Sequence, residues 1–282
     1  MATDPRQQLG EFLRTRRARV QPEDLGLVPG PRRRVAGLRR EELALLAGVS
    51  TDYYQRMEQG REVHPSDQVL DSVAGALRLT PEESSYLHRL AAAMRSPGRP
   101  GRYGPEVVPP TTLRLLATMS SPALVAGRFL DLLAWNPLAG ALLGDFAQWP
   151  AEERNLLALF LRPEADQTCP NRKATVAELT AMLRAQVAAE PGHPRAEDLI
   201  AQLTTASPEF AELWGRHDVE GTTRGQMMID HPLVGRMDLD WDAYPIPGAP
   251  GPVLVVCTAA PGGPDAERLD RLAAQLGDPA PR

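Results

Sequence analysis

Residues 37–61 read GLRREELALLAGVSTDYYQRMEQGR, and the glycine at position 48 decides what this stretch can become. Leu43, Leu46 and Ala47 recur at helical spacing before it; Val49, Tyr54 and Met57 recur at helical spacing after it. A turn at Gly48 is favoured because glycine enters the left-handed backbone region without steric cost. The spacing therefore predicts two short helices meeting at a tight corner. Ala44 is small where the two must cross, and Ser50 is placed to cap the second helix. With Val49, Tyr54 and Met57 turned inward, Thr51, Asp52, Tyr53, Gln55 and Arg56 are left on the outward face.

Three further helices belong with this pair. Leu9, Phe12 and Leu13 start one before it; Val69, Leu70, Val73 and Leu77 mark one after it, with Ser66 as its cap. Tyr86, Leu87 and Leu90 mark the last, opened by Thr80-Pro81-Glu82-Glu83, a capping residue followed by proline and acids. The segment SPGRPGRYGPEVVPP (96–110) is too rich in proline and glycine to build a core and reads as a linker. Beyond it the periodicity shortens. LVAGRFLDLLAW (124–135), QMMID (226–230), LVGRMDLDW (233–241) and VLVVCTA (253–259) read as strands, with helical stretches at 151–161, 174–189, 195–204, 208–217 and 264–276. We expect an all-α five-helix domain over 1–95, the linker over 96–110, and an α+β domain with a mostly antiparallel sheet over 111–282.

The outward face of the second helix of the pair has the chemistry of a base reader. Gln55 can bond adenine through two hydrogen bonds and Arg56 guanine, each worth roughly 1–3 kcal/mol of discrimination. Thr51 can touch a thymine methyl or a phosphate. Asp52 is repelled by DNA unless it accepts from cytosine or orients a neighbouring arginine. Arg39 and Arg40 open the bracing helix, where guanidinium and backbone N–H groups favour phosphate. Arg32, Arg33 and Arg34 precede them on a loop that can follow the backbone or enter a minor groove, and Tyr53 and Arg61 complete the backbone-contact set. Charge supports a basic reader joined to an acidic partner: residues 1–61 hold 12 arginines against 8 acids, although the chain as a whole, with 31 basic and 36 acidic residues, carries −5.

Residues 38–65, LRREELALLAGVSTDYYQRMEQGREVHP, resemble the XRE-type helix-turn-helix of phage repressors and their bacterial relatives. The arginine-rich approach and Tyr53-Tyr54 are similar to the MmyB-like branch. Within that resemblance Glu58 and Gly60 close the recognition helix. The likeness continues through LAWNPLAGALLGDF (133–146), ERNLLALFL (153–161), SPEFAELWGRHDV (207–219), HPLVGRMDLD (231–240) and LVVCTAAPGGP (254–264), which resemble the MmyB-like ligand-binding domain. CPNRKATVAEL (169–179) departs from the family pattern. The resemblance implies a PAS-like fold whose sheet and helices enclose a pocket for a small apolar or fatty-acid-like molecule. Aromatic walls with a few polar groups suit such a site, and the candidates are Trp135, Asn136, Arg154, Asn155, Phe210, Trp214, His217 and His231. Five have a structural alternative: Trp135 and Trp214 as core residues, Asn136 as a helix cap, and His217 and His231 as partners of buried carbonyls.

Other function classes are poorly supported. The chain has no nucleotide-binding glycine loop, no H-E-x-x-H and no G-x-S-x-G. Asp238, Asp240 and Asp242 alternate along one strand face, but a calcium loop would want glycine and glutamate where Ala243 and Ala249 stand. His217 and His231 lack two further ligands at local spacing, so neither a metal nor another cofactor is expected. Cys169 and Cys257 fit a reduced interior. No apolar run approaches the ~18–20 residues of a membrane span. The expectation is a cytoplasmic, nucleoid-associated regulator that reads an operator in double-stranded DNA as a homodimer, answers to an apolar ligand and has RNA polymerase as a potential partner. An adaptor with a DNA-inactive helix-turn-helix, or a ligand carrier or enzyme using the C-terminal domain, are the competing readings.

Overall fold

The computed structural model describes residues 4–26, 37–61, 64–95, 105–249 and 251–276. Along the chain run α1 (Pro5–Arg19), α2 (Arg40–Leu46), α3 (Thr51–Glu58), α4 (Asp67–Ala76), α5 (Pro81–Arg95) and α6 (Pro110–Thr118). The hairpin β1 (Ala123–Ala126) and β2 (Leu132–Trp135) follows, then α7 (Pro137–Leu143), α8 (Leu156–Leu161), α9 (Ala165–Thr168), α10 (Arg172–Ala189), α11 (Pro194–Ala206) and α12 (Pro208–Gly215). The chain closes with β3 (Arg224–His231), β4 (Gly235–Pro245), β5 (Val253–Thr258) and α13 (Pro264–Gln275). No helix among the described residues is long and apolar enough to cross a membrane.

Two compact units divide the chain, and neither is one continuous stretch. The first comprises Met1–Tyr103 with Arg184–Gly221; the second comprises Gly104–Leu183 with Thr222–Arg282. The first crossing between units falls between Tyr103 and Gly104. Sequence periodicity, however, gives no sign that 184–221 returns to the N-terminal helices, because its partners are side chains nearly two hundred positions away.

In the first unit, Leu9, Phe12, Leu13, Leu43, Tyr54, Met57, Leu70 and Leu87 are wholly buried in one core, with Phe12 edge-on to Tyr86 at 5.0 Å. A fully buried side chain of this kind contributes about 1.5–3 kcal/mol, so the core dominates over helix propensity. Ala188 and half-buried Val219 join the same core. The caps form as the sequence predicts. Ser50 Oγ accepts from Tyr53 N, Ser66 Oγ from Val69 N, and Thr80 and Glu83 cap each other. Leu46 is a departure: with α2 only seven residues long, the buried positions are Leu43, Ala44 and Ala47, and Leu46 emerges beside exposed Leu45.

The second unit is built on a five-stranded antiparallel sheet of order β2-β1-β5-β4-β3, the PAS-like α+β arrangement. Residues 124–135 do not form one strand as their apolar run predicts. The chain reverses after Ala126, with Leu130 at φ 67 and Gly127 N donating to the Asp131 carbonyl at 2.7 Å. The 151–161 stretch likewise splits into a 3-10 turn, Ala151–Glu153, and α8, because Asn155 caps α8 with its side chain. On β3 and β4, Met227, Ile229, Met237 and Leu239 are buried, while Asp238 and Asp240 face solvent. The Asp alternation is therefore a solvated strand face, matched across the register by Gln226, which donates to Asp240, and by Arg224 opposite Asp242.

Candidate nucleic-acid interface and ligand cavity

The corner between α2 and α3 is closed by backbone bonds. Gly48 takes φ 66, and Val49 N donates to the Ala44 carbonyl at 3.0 Å, satisfying a helix-end carbonyl while the glycine absorbs the left-handed turn. Tyr54 and Met57 lock the inner face of α3, so its outer face is presented on a fixed support. Thr51 and Asp52 are exposed; Tyr53, Gln55 and Arg56 are half-buried. Asp52 Oδ2 lies 3.3 Å from Arg56 Nε, one helical turn on, and Arg56 also lies over the Tyr53 ring at 6.0 Å. Of the two roles open to Asp52, orientation of a neighbouring arginine is the one this geometry provides.

The flanking arginines divide into groups. Arg61 is exposed after α3, and Arg39 is half-exposed with Nη1 3.6 Å from Glu41. Arg40 keeps part of its guanidinium in solvent but donates from Nε to Glu58 Oε2 at 2.7 Å. Arg32, Arg33 and Arg34 lie outside the described residues.

Glu58 is the anchor of the motif. Its carboxylate is almost wholly buried and accepts from Arg17 Nε at 2.5 Å and Arg17 Nη2 at 3.2 Å, as well as from Arg40. Burial alone would push its carboxyl up, but the Arg17 and Arg40 hydrogen bonds outweigh it and hold the group below the ordinary value. Arg17 Nη1 also donates to the Leu38 carbonyl, so one side chain of α1 ties the end of α3 to the entry of α2. A Cβ on Gly10 would collide with the Glu58 carbonyl, which is why α1 carries glycine there despite its low helix propensity. Gly60, at φ 62, ends α3 in the left-handed conformation. The sequence reading assigned Glu58 and Gly60 but missed Arg17 and Gly10, which carry no local signal of their distant partner.

The eight residues proposed for the ligand are divided between the two units. Phe210, Trp214 and His217 belong to the first unit; Trp135, Asn136, Arg154, Asn155 and His231 belong to the second. Phe210 is fully buried and stacks on Trp214 at 5.5 Å. Asn136 caps α7 through the Ala139 amide, accepts from Ala123 N, and donates to the carbonyls of Met119 and Ser121. Asn155 caps α8 and donates to the Phe129 carbonyl and to Asp131. Trp135 packs edge-on to Phe146, with Arg154 over its ring at 5.6 Å, and Arg154 Nε donates to the Trp149 carbonyl. His231 is buried, with Nε2 3.0 Å from the Ala141 carbonyl and Nδ1 accepting from Leu233 N.

Among the described residues, the cavities of the second unit include two beside its sheet. The inner one, about 90 Å³, separates one face of the sheet from α8 and α10; Ala126, Met227, Trp241, Val255, Leu179 and Met182 are among its walls. It is strongly apolar, and burial pushes the thiol of its wall residue Cys257 up to about 12, so that group is a neutral hydrophobe. The outer one, about 330 Å³, lies beside β3 and is walled by Leu142, Trp149, Phe160 and Ile229, with Arg162, Glu164, Thr168 and His231 as its polar members. Arg162 lies flat over Trp149 at 3.4 Å. Of the eight candidates, His231 lines the outer cavity and none lines the inner one.

An N-terminal helix-turn-helix, joined to an α+β unit with an apolar cavity, defines a DNA-binding transcription regulator with a ligand-binding domain. Residues 108–272 match the family model of the MmyB-like transcription regulator ligand binding domain, and the chain belongs to that family. Residues 8–87 match a helix-turn-helix domain. No curated protein matches the chain.

Proposed function

We propose that the chain reads an operator in double-stranded DNA as a homodimer and changes its grip when a small, largely apolar molecule occupies the second unit. The observation that carries the DNA reading is the outer face of α3. Thr51, Asp52, Gln55 and Arg56 are held there, on a helix whose inner side is clamped by Arg17, Glu58 and Arg40. Gln55 and Arg56 supply base contacts, with Asp52 holding Arg56 in place. Arg39, Arg61 and Tyr53 supply phosphate contacts. Arg32, Arg33 and Arg34 belong to the same backbone set on charge alone, and two-fold reading places half-sites about one helical turn apart or a multiple of it. The protein then works at the nucleoid, with RNA polymerase beside it at the promoter.

Salt titration on a sequence selected from random DNA tests this reading. Affinity should fall with a log–log slope of about −0.9 per phosphate neutralised. Gln55→Ala should flatten sequence preference by about 1–3 kcal/mol at one base pair, whereas Arg39→Ala should weaken all sequences alike. Arg40→Ala is the poorer probe, because Arg40 also holds Glu58. Weak binding to every sequence, unchanged by Gln55→Ala, would overturn the reading in favour of an adaptor.

For the ligand, the inner cavity has the apolar walls, but its volume is several times below the ~300–1,000 Å³ of common ligand sites. It therefore suits a small molecule, or a longer one that parts α10 from the sheet. The outer cavity supports a second reading, since its volume reaches that range and it offers Arg162 and His231. Native mass spectrometry of the purified chain separates the two. Loss of a retained molecule in Leu179→Trp favours the inner site, and loss in Ile229→Trp the outer one. Retention in both variants would remove both cavities from consideration.

A further inference from the structure

Two consecutive arginines of α1 serve different neighbours within the first unit. Arg17 holds Glu58 and the Leu38 carbonyl, and so the end of α3 and the entry to α2. Arg16, only 4% exposed, turns the other way. Its Nη2 donates to the His217 carbonyl at 2.6 Å, its Nε pairs with Glu83 of α5 at 2.7 Å, and its Nη1 lies 3.6 Å from Asp218. Arg19 adds an ion pair to Asp218 at 2.7 Å and a bond to the Arg216 carbonyl.

His217 is gripped on its ring as well. Nε2 lies 3.3 Å from Glu11 of α1, and Nδ1 lies 3.2 Å from Arg184 Nη1. Because guanidinium can only donate, Nδ1 accepts and the ring proton belongs on Nε2, facing the Glu11 carboxylate. Arg184, 2% exposed, also donates to the Trp214 carbonyl and lies over that indole at 4.0 Å. His217 takes φ 55, a conformation that persists in a non-glycine residue only where its surroundings over-determine it. Bonds to the ring and the carbonyl supply that constraint.

Arg184–Gly221 is therefore fastened to α1 of the N-terminal helices, yet it lies wholly inside the stretch that matches the ligand-binding domain. The helix that carries Arg184, α10, also carries Thr175, Glu178, Leu179 and Met182 of the inner cavity wall. We propose that Arg184–Gly221 is the output segment of the sensor, setting the posture of α3 through α1. Arg184, His217 and Arg16 receive the displacement, and Arg17 passes it to Glu58. Clusters of buried charge switch between discrete satisfied arrangements rather than deforming gradually. Gly10, packed against the Glu58 carbonyl, leaves α1 no slack in which a shift could be lost. None of these residues lies on the DNA-reading face of α3; they are positioning residues.

Amide exchange of the full chain, without DNA or ligand, tests the relay. Arg184→Gln should accelerate exchange in α3 by about fivefold or more, while α4, to which no hydrogen bond or ion pair of the cluster runs among the described residues, stays unchanged. In an Arg17→Gln background the same substitution should add nothing in α3. Unchanged α3, equal acceleration of α3 and α4, or an Arg184→Gln effect that survives Arg17→Gln would each overturn the proposal. If Arg184→Gln does not fold, His217→Asn, which keeps Arg184, is read against the same outcomes. Because no DNA is present, failure here leaves the operator reading standing, and failure of the salt titration leaves this one standing.

Discussion

Acid should loosen the first unit at His217. The buried ring is pushed down from 6.5 to about 3, first by burial, then by the positive charges of Arg184, Arg16 and Arg14, with Asp218 pulling the other way. The unfolded chain binds this proton at the ordinary value, so between about pH 6.5 and pH 3 it holds a proton that the folded chain refuses. The stability linked to neutral His217 is thus complete above about 6.5 and is lost as pH falls towards 3. The slope is about 1.4 kcal/mol per pH unit, so lowering the pH from about 6.5 to about 4.5 should remove roughly 2–3 kcal/mol. His217→Asn keeps a short polar side chain that tolerates the left-handed backbone but cannot titrate. The urea dependence of amide exchange in α1 and α12 peptides, followed across that range, should therefore fall more steeply for the wild type than for the variant. Ring proton shifts of His217, measured by NMR, give the direct check. A midpoint near 6.5, or parallel acid loss in wild type and variant, would refute the argument that burial and the surrounding arginines keep the ring neutral.

Substitutions elsewhere separate causes that look alike in sequence. Gly10→Ala should cost about 1–3 kcal/mol in thermal denaturation, because its Cβ meets the Glu58 carbonyl. Gly48→Ala meets no atom and should cost only the left-handed strain, about 1–2 kcal/mol, so its exchange change should stay confined to the α2–α3 corner. Glu58→Gln removes the charge between Arg17 and Arg40 and should destabilise the first unit by about 3–5 kcal/mol, read from the melting of α1 and α3 amides. Asn155→Ala should cost about 1 kcal/mol for the α8 cap and about 1–3 kcal/mol more for the Phe129 carbonyl it abandons, seen as faster exchange in α8.

Where local chemistry decides the structure, the sequence was readable. Gly48 with Ser50 defines the α2–α3 corner, Thr80 with Glu83 opens α5, and the Met227–Ile229 alternation defines a strand face because period and burial coincide there. Reading failed where a distant partner decides. The run 124–135 is apolar enough for one strand, but Leu132 N and Leu156 N bond across to the Arg154 and Leu130 carbonyls, and this pairing with the 154–156 segment accompanies the reversal into a hairpin. Cavity walls are hard to read in sequence for the same reason. Asn136 and Asn155 have the polarity expected of a site, but both are consumed as caps, and the apolar walls of the inner cavity come from α10 and β4 residues that resemble any core.

The stretch RTRRAR at 14–19 shows why regulation is harder to read than recognition. Base-reading residues announce themselves by type and by position on a short helix, since only a few side chains match the groove. The arginines of α1 are chemically identical, and adjacent positions on a helix differ only by about 100° of rotation. That rotation sends Arg17 to Glu58, 41 residues on, and Arg16 to the His217 carbonyl, 201 residues on. One helix thereby touches both the recognition helix and a segment of the ligand-binding family match. A substitution at either arginine would look equally conservative in sequence. Arg17→Gln should loosen α3 directly, whereas Arg16→Gln should act on α3 only as long as Arg17 still holds Glu58, an ordering expected if α1 links Arg184–Gly221 to α3 within the first unit.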